Sequence, residues 1–284
     1  MEKDLVGKVC LVTGANTGIG RVTAEELALR GAHVILGGRS EARTLPVLEA
    51  IRRDTGNAKV EFLHVDLSDL DSVRRAAASF LARSLPLHLL VNNAGLAGVR
   101  GLTPQGFEMT FGTNHLGPFL LTLLLLDRLK ESAPSRIVNV ASRAHTGAKA
   151  IDWDAQRRPA GSRAGLAEYS VSKLANVLFT AELARRLAGS GVTTYALHPG
   201  VVATDIWREL PWGARHLVKL FMITPEQGAR TTLHCATAPL SSLENGAYYD
   251  RCAVRRPNRA ARDPELAAEL WRRSVDWTGA PSSS

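Results

Sequence analysis

The stretch "VTGANTGIGR" at residues 12–21 decides how this chain folds. It follows the apolar run "KVCLVT" (8–13) and opens a helical pattern near 19–30. Its glycines have the spacing T-G-x-x-x-G-x-G, with Gly14, Gly18 and Gly20 at the glycine positions. Glycine lets a backbone turn sharply and approach a pyrophosphate, whose charge suits the exposed N–H groups at a helix N-terminus. The stretch predicts a strand–loop–helix unit that binds phosphate, and a glycine-rich turn without a ligand is the alternative.

Beyond this stretch, short apolar runs alternate with amphipathic helical patterns. Further strand candidates are "HVILGG" (33–38), "VEFLHV" (60–65), "LHLLVN" (87–92), "RIVNV" (136–140), "VTTYAL" (192–197) and "GAYYD" (246–250). Helical patterns lie near 41–54, 69–83, 105–131, 168–189, 225–236 and 264–275. Because β-α-β units require right-handed crossovers, this order predicts parallel strands covered by helices on both faces. We expect one α/β domain over residues 1–284, of the Rossmann-type doubly wound class, with a mostly parallel seven-stranded sheet.

The composition is typical of a globular protein without a disulfide framework. Of the 284 residues, 45% are hydrophobic and 22% are charged. The cysteines Cys10, Cys235 and Cys252 are scattered and match no metal motif, which favours reduced thiols in a cytoplasmic compartment and no bound metal. The chain begins with charged residues, and its most apolar run, 119–129, is too short to span a bilayer. We therefore expect neither a signal peptide nor a membrane span.

A formal net charge of +8 raises the question of nucleic-acid binding. The basic residues are mostly arginines spread over helices beside acidic residues. Their densest run, within 251–262, has no interleaved aromatic residues. This pattern favours a solvated face over a nucleic-acid partner, although the excess positive charge also suits an anionic cofactor.

The end of the second predicted strand, "LGGRS" (36–40), bears on the choice of cofactor. An enzyme that uses NAD would normally carry an acidic residue there to bind the ribose 2′-hydroxyl. This chain has Arg39, whose guanidinium can bind a 2′-phosphate bidentately and stack on adenine. The residue predicts a preference for NADP(H), with NAD(H) as the second cofactor. Arg21 either assists from the start of the first helix or faces solvent.

The third predicted strand is followed by "HVDLSD" (64–69). Asp66 is expected to accept a hydrogen bond from the adenine amino group, and Leu67 to pack on the adenine ring. The alternative is that Asp66 or Ser68 caps the next helix, a choice that Asp69 complicates.

Four further motifs occur in a fixed order after the glycine loop. They are "VNNAG" (91–95), "RIVNVAS" (136–142), "YSVSK" (169–173) and "HPGVVAT" (198–204). Together with the glycine loop they cover residues 7–250, and the sequence resembles the short-chain dehydrogenase/reductase family. Three features are similar to its retinol dehydrogenase-like branch: a long insert between Ser142 and Tyr169, "TNHLGPFLLTLLLLDRLK" (113–130) and "ELWRRSVDW" (269–277).

The resemblance implies a catalytic tetrad of Asn114, Ser142, Tyr169 and Lys173. Tyr169 would donate a proton to a carbonyl oxygen during reduction, or take it from an alcohol during oxidation, and Ser142 would bind the same oxygen. Tyr169 and Lys173 are four residues apart, so they share one face of a helix. A phenol has a pKa of about 10, and we expect the ammonium of Lys173 to lower it. Asn114 would hold a water that connects Lys173 to solvent.

The same resemblance implies further contacts with the cofactor. They are expected at Gly14, Asn16, Thr17, Gly18, Ile19, Gly20, Asn92, Ala94, Gly95, Tyr169, Lys173, Pro199, Gly200, Val202 and Thr204. Thr204 could equally cap the helix that begins at "DIW".

Three segments depart from the regular alternation: an active-site insert (143–167), a substrate flap (203–224) and a C-terminal tail (251–284). The flap is rich in tryptophan and leucine, which favours a lipophilic aldehyde, ketone or alcohol as substrate. The alternative is that its apolar residues pack on a partner subunit. Helices 113–130 and 168–189 resemble the family's dimer surfaces, which would allow a homodimer or homotetramer, and the alternative is that the long inserts block assembly.

The leading hypothesis is an NADP(H)-dependent oxidoreductase acting on a lipophilic carbonyl/alcohol pair. One alternative is a short-chain reductase with another specificity, for a steroid, a quinone or a biosynthetic ketone. Another is a non-catalytic regulatory protein that senses NADP, although Ser142, Tyr169 and Lys173 are all intact.

Overall fold

In the computed structural model, which describes residues 3–161, 165–200 and 223–281, eight strands pair into one sheet. They are β1 (Val9–Thr13), β2 (His33–Gly38), β3 (Val60–His64), β4 (Leu89–Asn92), β5 (Ser135–Val140), β6 (Val192–His198), β7 (Tyr248–Asp250) and β8 (Ala253–Val254). The order across the sheet is β3-β2-β1-β4-β5-β6-β7-β8. The first seven strands pair in parallel, which confirms the predicted Rossmann-type doubly wound sheet.

The eighth strand was not predicted. β8 runs antiparallel to β7 and pairs Tyr249 with Val254. Arg251 and Cys252, between the two strands, have φ angles of 53° and 60°, as in the tight turns that reverse a hairpin. Two residues are too few to give an alternating hydrophobic pattern, so the sequence carried no signal for this strand.

Helices cover both faces of the sheet. They are α1 (Gly18–Leu29), α2 (Glu41–Thr55), α3 (Leu70–Leu81), α4 (Met109–Phe111), α5 (Gly117–Leu124), α6 (Leu126–Glu131), α7 (Leu166–Arg186), α8 (Pro225–Thr237) and α9 (Pro264–Thr278). Alternate residues of the central strands enter opposite cores: Leu11 lies in one buried cluster, and Cys10 and Val12 lie in the other. This two-sided burial explains why the strands read as continuous apolar runs.

The single helix predicted over 105–131 is instead broken into segments. A π-helical turn, Gly112–Leu116, separates α4 from α5, and the Gly117 N–H donates to the carbonyl of Gly112, five residues back. The next residue, Pro118, has no N–H to continue an α-helical ladder. The turn places Gly117 against the loop that follows β3. A Cβ on Gly117 would lie 2.2 Å from the carbonyl oxygen of Leu67. Single π turns of this kind are common at functional sites.

The C-terminal tail joins the helices that flank the predicted site. Trp271 of α9 has its ring centroid 5.2 Å from that of Phe119 in α5 and 6.0 Å from that of Phe179 in α7. Upstream of α9, the Asn258 amide donates to the carbonyls of His145 and Ala148 in the insert. The tail is thus part of the fold around the site.

Two predicted features fall wholly or partly outside the described ranges. Val202, Thr204 and nearly all of the expected flap lie outside them, as do residues 162–164 of the insert. In the ranges that are described, no helix combines the length and the apolar character needed to cross a membrane.

Candidate active site

A cleft of about 630 Å³ follows the carboxyl edge of the sheet, where ligands bind in open α/β folds. Most of the predicted site residues line it. They are Gly14, Asn16, Thr17, Gly18, Ile19, Gly20, Arg39, Asp66, Leu67, Ala94, Gly95, Ser142, Tyr169, Lys173, Pro199 and Gly200. The structure therefore brings residues from seven separate sequence motifs together on one surface.

The glycine loop is shaped by the end of β4. Gly14 has a φ of 66°, and a Cβ there would lie 2.9 Å from the Cα of Ala94. A Cβ at Gly20 would lie 2.4 Å from both the Asn93 Nδ2 and the Gly14 carbonyl oxygen. Glycine is needed at these two positions because the glycine loop and the segment after β4 approach each other closely there. The start of α1 remains open to the cleft.

Two arginines stand at the far end of the cleft, beside the end of β2. Arg39 and Arg43 both line it and both side chains are exposed to solvent. Sequence reasoning found Arg39 and missed Arg43, which lies in the first turn of α2. The four-residue spacing between Arg39 and Arg43 was the signal in the sequence that could have identified Arg43. The two side chains stay close because a helix begins at residue 41. Arg21 is paired with Glu25 at 3.9 Å instead and does not line the cleft.

The loop after β3 answers the question of which residue caps α3. The Asp69 carboxylate accepts a hydrogen bond from the N–H of Asp71 and is the cap. Asp66 Oδ1 accepts from the backbone N–H and the hydroxyl of Ser68, at 2.9 and 2.6 Å. Asp66 and Leu67 line the cleft, so their predicted contact with adenine stays a prediction.

Asn92 is not on the cleft surface, in contrast to the prediction. Its amide is buried and donates to Thr122 Oγ1 at 3.0 Å and to Asn139 Oδ1 at 2.9 Å. The next residue, Asn93, lines the cleft and donates to the Thr13 carbonyl oxygen at 2.8 Å. The side chains of successive residues in a strand point in opposite directions. The cleft residue is therefore Asn93, one position after the predicted Asn92, whose side chain points into the core.

Ser142, Tyr169 and Lys173 meet where β5 ends and α7 begins. Ser142 follows β5, and its hydroxyl accepts from the Ala144 N–H at 3.1 Å. Lys173 donates to the carbonyl oxygen of Val140 at 2.8 Å, and its Nζ lies 5.5 Å from the centroid of the Tyr169 ring. Only 7% of Tyr169 and 2% of Lys173 are exposed, so both polar ends sit in the wall of the cleft.

Burial shifts both ionisable groups toward their neutral forms. Burial lowers the pKa of Lys173 to about 8. Burial also raises the pKa of Tyr169 above its ordinary value of 10, against the opposing effect of its hydrogen bond with Ser142. The net direction for Tyr169 is upward because the cost of desolvating the phenolate is the largest effect, and the lowering of its pKa by Lys173 stays a prediction.

Asn114 lies in the π-helical turn and is held by the loop after β4. Its side chain accepts from the Leu96 N–H at 2.8 Å and donates to the Leu96 carbonyl at 2.9 Å and to Ser172 Oγ at 3.0 Å. A Cβ on Gly95 would lie 3.3 Å from Asn114 Oδ1 and 3.5 Å from Lys173 Nζ. Asn114 and Lys173 thus border the same glycine of the cleft.

Beyond Ser142 and Tyr169, the cleft continues between the insert and the loop after β4. Its walls there are mainly apolar, and the residues are Leu96, Ala97, Val99, Met109, Thr113, Ala144, Leu166 and Ser170, with Arg143 as the charged exception. The insert 143–167 was predicted to be a segment of the active site, but the sequence did not identify these individual residues.

Two histidines near the cleft make local polar contacts. His145 is buried, and its Nδ1 lies 2.7 Å from the Ser142 carbonyl oxygen. His198 accepts from the Arg143 N–H at 3.3 Å, and burial lowers its pKa to about 4. No group of three or more potential metal ligands occurs within the part of the chain that is described.

The parallel sheet, the glycine loop at its carboxyl edge and the shared cleft define a Rossmann-type α/β protein. A family model described as short chain dehydrogenase matches residues 8–153 and 158–213. The chain belongs to the short-chain dehydrogenase family, and the sequence-based assignment is confirmed.

Curated relatives support the narrower branch as well. The chain is 48% identical to "Retinol dehydrogenase 11" of Homo sapiens over 281 residues, which cover 98% of this chain and 87% of that protein. It is 47% identical to "Retinol dehydrogenase 12" of Homo sapiens, over 97% of this chain and 87% of that protein. The predicted likeness to retinol dehydrogenases is confirmed.

Solved structures agree with the fold. A crystal structure of an uncharacterised protein from Mycobacterium paratuberculosis matches with a TM-score of 0.78 and 36% identity, covering 99% of this chain and 98% of that chain. A 3-ketoacyl-(acyl-carrier-protein) reductase from Brucella melitensis complexed with NADH matches with a TM-score of 0.67, 26% identity and coverage of 87% and 97%. A protein from Beutenbergia cavernae, assigned as an NAD(P)-dependent gluconate 5-dehydrogenase with bound NADP at low occupancy, has a TM-score of 0.71, 27% identity and coverage of 88% and 97%.

Proposed function

We propose that this short-chain oxidoreductase uses NADP(H) to interconvert a lipophilic aldehyde or ketone and its alcohol, with Tyr169 as the general acid/base. The observation that supports this most is the position of Ser142, Tyr169 and Lys173. They stand between the glycine loop and the apolar end of one continuous cleft. A dinucleotide in the first part and a carbonyl compound in the second would meet at these three side chains.

Each polar group has a role that its surroundings support. A bound nicotinamide supplies the hydride for reduction or accepts it during oxidation. Tyr169 gives its proton to the carbonyl oxygen, and Ser142 donates a hydrogen bond to the same oxygen. The raised pKa of Tyr169 favours its protonated form at neutral pH, as an acid for reduction requires. Lys173 and Asn114, which border Gly95, are suited to bind a ribose hydroxyl and to pass protons to solvent.

The preference for NADP(H) rests on Arg39 and Arg43. Both guanidinium groups line the end of the cleft beside β2, and the Asp or Glu typical of an NAD site is missing from 36–40. Two arginines can bind a 2′-phosphate with paired, charge-assisted hydrogen bonds. NAD(H) remains the second cofactor, since it lacks only this phosphate.

The apolar wall beyond Ser142 supports a lipophilic substrate, as do the names of the curated relatives. We expect no nucleic-acid partner and a cytoplasmic location, where the three free cysteines stay reduced. A homodimer or homotetramer would have to use surfaces other than those that α9 covers on α5 and α7.

The proposal is tested by a panel of aldehydes and ketones, including retinal, a steroid ketone and a quinone, with NADPH consumption followed by absorbance. We expect turnover of apolar carbonyl compounds, and its loss in the matched variant Ser142→Ala. Turnover confined to steroids or quinones would support a short-chain reductase of that specificity. If no carbonyl compound is reduced although NADPH binds, the non-catalytic sensing function would replace this proposal.

A further inference from the structure

One charged residue interrupts the apolar part of the cleft. Arg143 directly follows Ser142 and lines the cleft together with Ala144 and Leu166. Its side chain is 56% exposed, although its backbone N–H is fixed by His198 at 3.3 Å. An arginine in this position places a permanent positive charge beside the place where a substrate would lie.

The charge of Arg143 is only partly used by the protein. Its Nε donates to Asp250 Oδ2 at 2.6 Å, and Asp250 is itself 9% exposed. Among the described residues, the terminal nitrogens of this guanidinium have no hydrogen-bond partner. Asp250 thus binds one edge of the guanidinium, and the remaining N–H groups can donate hydrogen bonds to a ligand.

The histidines beside Arg143 add no positive charge that would compete for a ligand. His145 and His198 are buried, and burial lowers the pKa of each below its ordinary value. Arg143 is therefore the positively charged side chain that lines this part of the cleft, and Asp250 binds its Nε.

We propose that Arg143 binds a carboxylate on the substrate, so that the preferred substrates are carbonyl compounds whose apolar chain ends in an acid group. The inference rests on the proposed function and narrows its substrate class. The carbonyl lies between Ser142 and Tyr169, the apolar chain packs on the wall of the cleft, and the carboxylate reaches the free edge of the Arg143 guanidinium, on the side of β5 where Asp250 of β7 lies. Guanidinium and carboxylate are matched in shape and charge for paired hydrogen bonds.

The test compares ω-oxo carboxylic acids of increasing chain length with their methyl esters, which have the same chain and carbonyl but no charge. The measured quantity is the ratio of kcat/KM for the acid to that for the ester, with NADPH. We expect the ratio to reach roughly tenfold at the chain length that spans the two sites, mainly through KM, and to decline as salt is added. Arg143→Gln should bring it to about one, and Arg143→Lys should keep part of it because the charge remains.

Arg53→Gln is the matched control, because it removes one exposed positive charge from α2, away from the cleft. It should leave the ratio unchanged. If every acid and its ester are reduced equally well by the unaltered protein, or if Arg143→Gln keeps the ratio, the inference is overturned while the proposed function stands. If neither acids nor esters are reduced, the proposed function fails and the inference fails with it.

Discussion

At the scale of single residues, Tyr169 and Lys173 are both held in a setting that disfavours charge. Burial raises the pKa of the phenol and lowers that of the amine to about 8. The tyrosine is therefore kept protonated, and the lysine loses its proton more readily than in water. A bound anionic cofactor would favour the ammonium form, which couples cofactor binding to the charge beside the phenol.

Arg39 gives the sharpest residue-scale test of cofactor choice. Arg39→Asp removes the donor for a 2′-phosphate and adds a repelling charge. We expect kcat/KM for NADPH to fall at least about tenfold while that for NADH is kept or rises. Arg53→Asp, an equal charge change at an exposed position of α2, should change neither value. An unchanged preference for NADPH in Arg39→Asp would contradict the assignment.

How far the sequence predicts a site depends on whether a residue belongs to a motif. The motif residues Ser142, Tyr169 and Lys173 were placed together correctly, because strand ends and helix starts fix their direction. Asn92 was misplaced although the predicted strand and β4 both end at residue 92, because the end of a strand does not show which of two successive side chains faces the cleft. Arg143 begins the insert that was predicted to border the site, whereas Met109 belongs to no motif and only the folded chain places it in the cleft.

At the scale of elements, the π-helical turn ties the site to the C-terminal helix. His115, in this turn, is surrounded by the rings of Phe111, Phe119 and Phe179 and is bonded to Ser274 of α9 at 2.9 Å. The hydrophobic pattern could not predict the π-helical turn. The helix is buried on all sides, so its residues are apolar whether or not a turn contains an extra residue. The glycine and proline at 117 and 118 were the only local signals.

His115 predicts how stability changes in acid. Burial lowers its pKa from 6.5 to about 3. Below pH 6.5 the unfolded chain takes up a proton that the folded chain refuses, so stability falls as pH drops from 6.5 towards 3. His115→Phe should reduce the loss of unfolding free energy between pH 7 and pH 5 by about 1–2 kcal/mol. The comparison is by urea unfolding, with the exposed His64→Gln as control; equal losses in all three proteins would contradict it.

Asn258 predicts a link between the tail and the catalytic serine. Its amide binds the carbonyls of His145 and Ala148 at 3.1 and 2.9 Å, and His145 in turn contacts the carbonyl of Ser142. Asn258→Ala should cost about 1–3 kcal/mol of stability and lower kcat several-fold, because Ser142 loses its support.

Asn57→Ala is the matched control for this link. The Asn57 amide also binds two backbone carbonyls, those of Ala28 and Ala32, at 2.8 and 2.9 Å, and it lies outside the cleft. Both variants should lose stability, but only Asn258→Ala should lose kcat. Equal kcat values for the two variants would show that Asn258 is merely structural.

At the scale of the whole molecule, the tail completes the core that α5 and α7 begin. Trp271 is 6% exposed and packs on Phe119 and Phe179, and Arg186 of α7 lies 4.3 Å above its ring. The sequence predicted α9 but not its position, because long-range packing leaves no local pattern. This helix covers apolar surface of α5 and α7.

Removing residues 263–284 should therefore expose this surface. We expect the shortened chain to self-associate or precipitate, whereas removal of 282–284 alone should have no effect. The measurement is molar mass by light scattering after gel filtration. A shortened chain that forms particles with the same number of protomers as the intact protein, with an unchanged Tm, would show that α9 is dispensable.

The central claim is that Tyr169 transfers the proton to the substrate carbonyl. The measurement is the rate of NADPH-dependent carbonyl reduction by Tyr169→Phe, with NADPH binding followed in parallel and Tyr195→Phe, in the opposite core, as control. The account predicts a loss of roughly a hundredfold to ten-thousandfold in kcat for Tyr169→Phe, with NADPH binding kept and the control active. Carbonyl reduction by Tyr169→Phe at a rate near that of the unaltered protein would contradict it.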